Sequence, residues 1–348
     1  MENIAHTLTG LAIAEAGFSE RLGRRRALVL GAVASNAADL DVVEFVLRSP
    51  EAFHLDPRVP SHGLLTFALV APLLGWVASR VGRHGALRLH VLLALAAWGA
   101  HLALDLVSPY GARILAPFDV VRVGIPWLYL IDPFVWVILT LPFWVPRLLP
   151  LALARANAIA LLLLGAYVGL CGIFSGLAVA ETARVCAAAG VEPSRIQAFP
   201  GAFLPVLWSG VATQGDLQFQ RRVALVGPES DAPFARVATG NATHPAVKAV
   251  YATETGRRFR DAFASAPVAE VTCTATGYTV ALTDLAFTDP WTGTPGFAWL
   301  FDVARGAGGE TDRTAAFTVT SHRFVSAWTS DTHPVGDCLQ WRTDTRVR

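Results

Sequence analysis

The stretch AHLALDLVSPYG places His101 and Asp105 four positions apart inside an apolar segment. In a helix that spacing is about one turn, so both side chains leave the same face. Imidazole and carboxylate are ligand types for zinc and related divalent cations. A hydrogen-bonded pair that stabilises a helix is the alternative reading of these two alone. NAADLD adds Asp39 and Asp41 at the end of an apolar segment, PSHG puts His62 immediately before the next one, and MENIAHTLTG supplies His6 ahead of an apolar run. LYLIDPFVW contributes Asp132. Ionisable groups at membrane depth are costly, at least ~2–3 kcal/mol each, so they face a cavity, a partner or an ion. The other histidines carry less weight. His54 reads first as a loop residue, with a contribution beside His62 as the alternative, His84 and His90 fall toward the opposite end, and His244, His322 and His333 have no metal-ligand spacing.

The elements that must position these residues are helices in a bilayer. Of the 348 residues, 53% are hydrophobic and only 16% charged, and the mean hydropathy of +0.45 is unusual for a soluble protein. A span needs about twenty largely apolar residues. LLTFALVAPLLGWVASRV (64–81), LHVLLALAAWGAHLALDLV (89–107), WLYLIDPFVWVILTLPFWV (127–145) and NAIALLLLGAYVGLCGIFSGLAVA (157–180) come near that length. Shorter segments at 4–18 and 27–43 are further candidates, with core helices as the alternative.

If all six segments cross, the arginine clusters at 21–26, at Arg80, Arg83 and Arg88, and at Arg147 and Arg155 share one side, and Arg48, Arg58, Arg113 and Arg122 the other. The positive-inside rule makes the clustered side cytoplasmic. His6, Asp39, Asp41, His62, His101, Asp105 and Asp132 then all come out near extracytoplasmic ends, and the last span delivers the rest of the chain to that side. The basic RLGRRR follows the first apolar stretch, the reverse of a cleavable signal peptide, so the N-terminus is expected to be retained.

The pattern changes near residue 186. Segments such as EVTCTATGYTVALTDLAFT and GFAWLFDVA alternate, are rich in β-branched residues and are punctuated by Gly, Pro and Asp, which reads as strands. The expectation is an α-helical polytopic membrane domain over 1–185 followed by a β-rich or α+β extracytoplasmic domain over 186–348. Cys273 and Cys338 could pair in an oxidising compartment. No CxxC pair exists, which argues against a cysteine zinc site, and the net charge of +1 without a basic stripe gives no reason to expect nucleic acid. The second half carries neither GxSxG nor HExxH. Trp76, Trp98, Trp127, Trp136 and Trp144 read as interfacial or packing residues, with a substrate groove as the alternative.

Taken together and in order, MENIAHTLTGLAIAEAG, NAADLD, SHG, HLALDLVSPYGARILAPF and LYLIDPFVW resemble the bacterial membrane-bound metal-dependent hydrolases of the YdjM/YfhP-like group, over roughly residues 1–150. That group is in turn thought to be distantly similar to zinc-dependent phospholipase C and S1/P1-type nucleases. The resemblance implies a bacterial inner-membrane protein in which His6, Asp39, His62, His101 and Asp105 hold a divalent metal, zinc first and manganese as the alternative. Asp41 and Asp132 would be supporting groups, ligands of another ion, or the general base. This chain has Ala38 where the family usually has proline and reads RVPSH where an RGxTH-like stretch is usual. It has no evident second His-xxx-Glu or His-xxx-Asp helix, so one ion, or two at most, is implied. The expected activity is hydrolysis of a phosphoester or lipid-derived substrate by metal-activated water, with membrane lipids as partners. The competing reading is a non-catalytic anchor with a structural metal and a partner-binding outer domain. Transport is a third reading, disfavoured because the polar residues collect at one side instead of forming a chain across.

Overall fold

A computed structural model describes residues 2–41, 61–81, 86–119, 121–148, 151–227, 233–292, 294–305 and 317–326. The chain forms two compact units. One comprises 1–178 with 198–208 and 224–226, and the other 179–197, 209–223 and 227–348.

The helical unit starts at α1, Asn3–Gly17, where the Glu2 carboxylate accepts the Ile4 and Ala5 N–H groups at 2.5 and 3.0 Å. These donors have no partner within the helix, so the carboxylate fixes where the helix begins. A short α2, Ser19–Leu22, ends at Gly23, whose φ of +81° suits a residue without a Cβ, and α3, Arg24–Asn36, follows. Helices α1 and α3 meet at Gly10 and Gly31, where a Cβ on Gly10 would run into the Gly31 carbonyl and the Ser35 hydroxyl. Small residues of this kind let two helix backbones approach closely. A 3₁₀ turn, Ala37–Asp41, extends α3.

Next come α4, Leu64–Val81, and α5, Leu87–Leu106, then α6, Pro133–Leu148, and α7, Leu153–Ala188. Ala14, Ala27, Leu30 and Ala34 of α1 and α3 pack with Leu93, Ala94 and Ala97 of α5. Ala5, Leu104, Leu128, Leu139 and Leu164 form a second core. By length and composition, α4, α5 and α7 are long and apolar enough to cross a membrane.

The expected span at 127–145 is corrected. Its helix begins only at Pro133, and the apolar part, Pro133–Trp144, belongs to the shorter class. Proline suits the first helical position but disfavours helix in the residue before it. Asp132 then caps the start by accepting the Phe134 N–H at 2.9 Å. The expected span at 157–180 lies inside the longer α7. The segments at 4–18 and 27–43 form α1 and α3, of 15 and 13 residues.

The other unit holds one antiparallel sheet and most residues of another. Strands β1 (Arg195–Pro200), β2 (Leu207–Gln214), β3 (Leu217–Ala224) and β4 (Arg236–Thr239) make one sheet in chain order. Strands β5 (Pro267–Thr274), β6 (Gly277–Asp284), β7 (Phe297–Arg305) and β8 (Phe317–Ser326) make a second, also in chain order. Two short helices, α8 (Pro245–Ala252) and α9 (Glu254–Arg258), lie between them in sequence, followed by a π turn, Phe259–Phe263. Phe259, Phe263 and Phe297 pack on Trp299 with centroid separations of 5.0–5.4 Å. Cys171 and Cys186 are free and buried. Cys338 lies outside the described residues, and with it the expected pairing to Cys273.

Candidate metal centre

Five polar side chains from four segments converge in the helical unit. His6 comes from α1, Asp39 from the 3₁₀ turn, His62 from the residues just before α4, and His101 and Asp105 from successive turns of α5. His6, His62, His101 and Asp105 are at most 1% exposed, and only Asp39 reaches partly outward, its side chain 14% exposed.

Asp39, His62, His101 and Asp105 each offer one ligand atom, and these atoms lie within 4.8 Å of one another, a group that could hold a metal ion. The two Nε2 atoms of His62 and His101 face each other at 2.9 Å. Asp105 Oδ2 is 3.1 Å from His62 Nε2 and 3.4 Å from His101 Nε2. Asp39 Oδ1 is 3.4 and 3.7 Å from the same two atoms. A tetrahedron with arms of about 2.0–2.2 Å, usual for zinc with nitrogen and oxygen ligands, has edges of about 3.3–3.6 Å. The observed separations scatter around that edge.

Two hydrogen bonds bear on what the imidazoles present. His101 Nδ1 lies 2.8 Å from the Ser35 carbonyl, which can only accept, so Nδ1 carries the proton and Nε2 turns its lone pair toward the cluster. His62 Nδ1 lies 2.9 Å from the Ser61 hydroxyl, which can play either role. With both imidazoles neutral, the two carboxylates leave a buried double negative charge, which a divalent cation neutralises. The donor types, their spacing and their charge therefore fit such an ion.

His6 stands beside this group. Its Nε2 is 3.3 Å from Asp105 Oδ1, the oxygen not turned to His62 and His101, and its ring lies 3.8 Å from that of His101. Among the described residues, neither ring nitrogen of His6 has a hydrogen-bond partner. Asp41 ends the 3₁₀ turn that carries Asp39, and its side chain lies outside the described residues. Asp132 has both oxygens engaged: Oδ1 caps α6, and Oδ2 accepts the Tyr167 hydroxyl at 2.8 Å.

Of the remaining histidines, His54, His84 and His333 lie outside the described residues. His90 is buried, with Nδ1 2.9 Å from the Ala86 carbonyl. His244 caps α8 by accepting the Ala246 N–H, and burial lowers its pKa. His322 stacks on Phe301.

Sequence reasoning assigned no role to Ser35, Ser61 or Glu2. The Ser35 contribution is a backbone carbonyl, for which a sequence carries no signal. Ser61 stood next to His62 within PSHG. Glu2 sits one residue before an apolar helix, a cap position, and also accepts the Trp136 indole N–H at 2.6 Å, joining α6 to the start of α1.

The sequence model of the YdjM inner membrane protein family matches residues 1–178. The chain belongs to this family. The matched region contains every residue of the His/Asp cluster, and the family is one of inner membrane proteins, in keeping with the apolar helices α4, α5 and α7. No curated protein and no solved structure matches the chain.

Proposed function

We propose that this protein is a membrane-bound, metal-dependent hydrolase of a phosphoester, with lipid headgroups among the substrates. The observation that carries the reading is the buried Asp39/His62/His101/Asp105 group, with the His101 lone pair directed inward by the Ser35 carbonyl. Zinc is the ion this donor set favours, with manganese as the alternative. When bound, the ion supplies Lewis acidity, making water acidic enough to be deprotonated near neutrality and polarising the scissile group.

The chain's own residues do the positioning. Asp39 and Asp105 contribute charge, and His62 and His101 contribute neutral nitrogen. His6, with Nε2 3.3 Å from the second oxygen of Asp105 and its ring beside that of His101, is assigned the positioning of both groups. Asp39 is the one member of the group with exposed surface, so substrate approaches past it. Asp41, two residues along the same turn, is assigned proton transfer, because both oxygens of Asp132 are committed to Phe134 and Tyr167. If all six apolar segments cross, the arginine distribution supports an extracytoplasmic location for this end of the helices and for the β-rich unit. The phosphoester preference rests on the distant similarity to zinc-dependent phospholipase C and S1/P1-type nucleases that the sequence resemblance implies, an analogy of ligand type.

One observation favours a second reading. Structural metal sites are closed whereas catalytic ones keep an open position, and His62, His101 and Asp105 are fully enclosed. In that reading the ion only holds α4 and α5 to the 3₁₀ turn, and the β-rich unit binds a partner.

Elemental mass spectrometry of the detergent-purified protein, beside His101→Ala/Asp105→Ala, tests the common premise. Stoichiometric zinc or manganese that disappears in the variant is the expected result. A folded wild-type protein that stays metal-free after incubation with divalent ions removes both readings. Asp41→Asn then separates them: metal retained with phosphoesterase activity lost supports the hydrolase, whereas a metal-loaded wild type inactive on phosphoesters and lipids supports the structural ion.

A further inference from the structure

We propose that the loop residues 112–119 and 121–123 insert shallowly into the lipid surface beside the metal centre, seating Phe118 and Val121 at the boundary between headgroups and acyl chains. The inference rests on the reading of the helical unit as membrane-embedded. It does not require that the metal centre be catalytic.

The loop is closed at its base by a reciprocal pair of backbone hydrogen bonds, Ala112 N–H to the Val123 carbonyl at 2.8 Å and Val123 N–H to the Ala112 carbonyl at 2.9 Å. Gly111, with φ of +59°, makes the turn that allows this, and a Cβ there would collide with the Val123 carbonyl. Two further bonds fix the loop to the ends of helices long enough to cross. The Ile125 N–H donates to the carbonyl of Leu106, the last residue of α5, and the Leu64 N–H, opening α4, donates to the Ile114 carbonyl. Those helix ends are the ones that carry Asp105 and, two residues before Leu64, His62. The loop thus emerges where two candidate spans end, at the metal centre.

Its side chains are distributed as a lipid surface requires. Phe118 is 85% exposed and Val121 57%, with Leu115 and Ile125 also outward. Arg113 points inward, only 5% exposed. The Asp119 carboxylate turns back to accept the Val121 N–H at 2.8 Å. Large apolar groups facing outward, with Arg113 turned inward and Asp119 left exposed at headgroup level, describe an element lying in the interface plane. The irregular backbone keeps it from going deeper, because hydrocarbon leaves such N–H and C=O groups unsatisfied. Lipid is the occupant, because the loop is tied at both sides to the ends of apolar helices, and α4 beside it also turns Leu65 and Leu69 outward.

The test is nitroxide labelling of the full chain in nanodiscs of phosphatidylethanolamine and phosphatidylglycerol, with power saturation by oxygen and by a water-soluble nickel complex. Labels are placed at Phe118→Cys and, independently, Val121→Cys. Leu162→Cys, on an exposed face of α7, is the lipid control, and Glu254→Cys, on α9, the aqueous one. Unsubstituted protein gives the background. Expected is an oxygen-to-nickel accessibility ratio at 118 and 121 shifted from the Glu254 value toward that at Leu162, with phosphorus-bearing headgroups in reach. A water-like ratio at both loop positions with a lipid-like ratio at Leu162 overturns the inference and spares the membrane reading. A water-like ratio at Leu162 as well overturns the membrane reading itself. Spin–spin broadening at 118 would mean a second copy covers the loop, which also overturns it.

Discussion

Both units bury alanine and leucine, and the helical unit buries Trp98 as well, but they differ in what stands beside these residues. Around the His/Asp cluster the helical unit buries small residues, with Ala5, Ala12, Ala34 and Ala38 at most 1% exposed, and brings ionisable groups into contact. The β-rich unit buries Phe259, Phe263, Trp299 and Phe301 and gains its cohesion from aromatic area. Apolar helices surrounded by lipid gain little from hiding apolar surface, so their association depends on close backbone approach and polar contacts. The antiparallel sheets, in a unit with no candidate span among its described strands, can use the hydrophobic effect at about 25 cal/mol per Å². The difference teaches that a defect in one unit should be read in a different observable from a defect in the other.

The largest effect expected of that contrast is at Asp105. Asp105→Asn removes one of the two carboxylates facing His62 and His101, so bound metal should fall below stoichiometric levels, as measured by elemental analysis. Hydrogen-exchange protection of β5–β8 should stay unchanged, and loss of protection there would break the comparison.

Trp299→Ala is the converse experiment. It should cost the β-rich unit about 3–5 kcal/mol, read as a lowered unfolding midpoint, while metal content remains that of the wild type.

Gly10→Leu should sharpen the picture of the helical unit. It separates α1 from α3 at Gly31 and Ser35, and so disturbs the carbonyl that orients His101. A fall in metal affinity of about 10–100-fold, the usual cost of losing such a supporting contact, is expected by competition with a chelator, with helicity retained by circular dichroism.

The smallest effect concerns Asp302 on β7. The Ser321 hydroxyl, the Thr279 hydroxyl and Arg323 hold its carboxyl below the usual carboxylate range. Because the folded value is depressed, its stabilisation is present above the unfolded pKa of about 3.9 and is lost as pH falls through the folded one. The site is partly exposed, so Asp302→Asn should cost only about 0.5 kcal/mol near neutrality. The wild type and the variant should converge in acid, and an effect that grew instead would reverse the assignment.

The parts of the fold legible in the sequence were those that a local pattern encodes. Uninterrupted apolar runs marked α4, α5 and α7, and alternation marked strands such as β6 in GYTVALTD. Hydropathy over 127–145 hid the start of α6, although Asp132–Pro133 is a cap followed by a favoured first residue. Helix α8 was missed for a similar reason, since His244–Pro245 opens it inside a stretch read for its strands. At the site, the ligand types at positions 39, 62, 101 and 105 were visible as residues out of place in apolar surroundings. The contact of His6 with Asp105 was not, because nothing local links residues so far apart in the chain.

By itself the sequence determined which side chains carry charge into an apolar region, which runs are long enough to cross a bilayer, and that His101 and Asp105 share one helix face. Tertiary packing alone brings these groups to Asp39 and His62, sets His6 beside the second oxygen of Asp105, and lets the Ser35 carbonyl turn the His101 lone pair inward. The reason is physical: helix periodicity fixes neighbours one turn apart, whereas contacts between helices depend on how closely their backbones approach, set at Gly10 against Gly31 for α1 and α3 and at Gly75 against Val91 for α4 and α5.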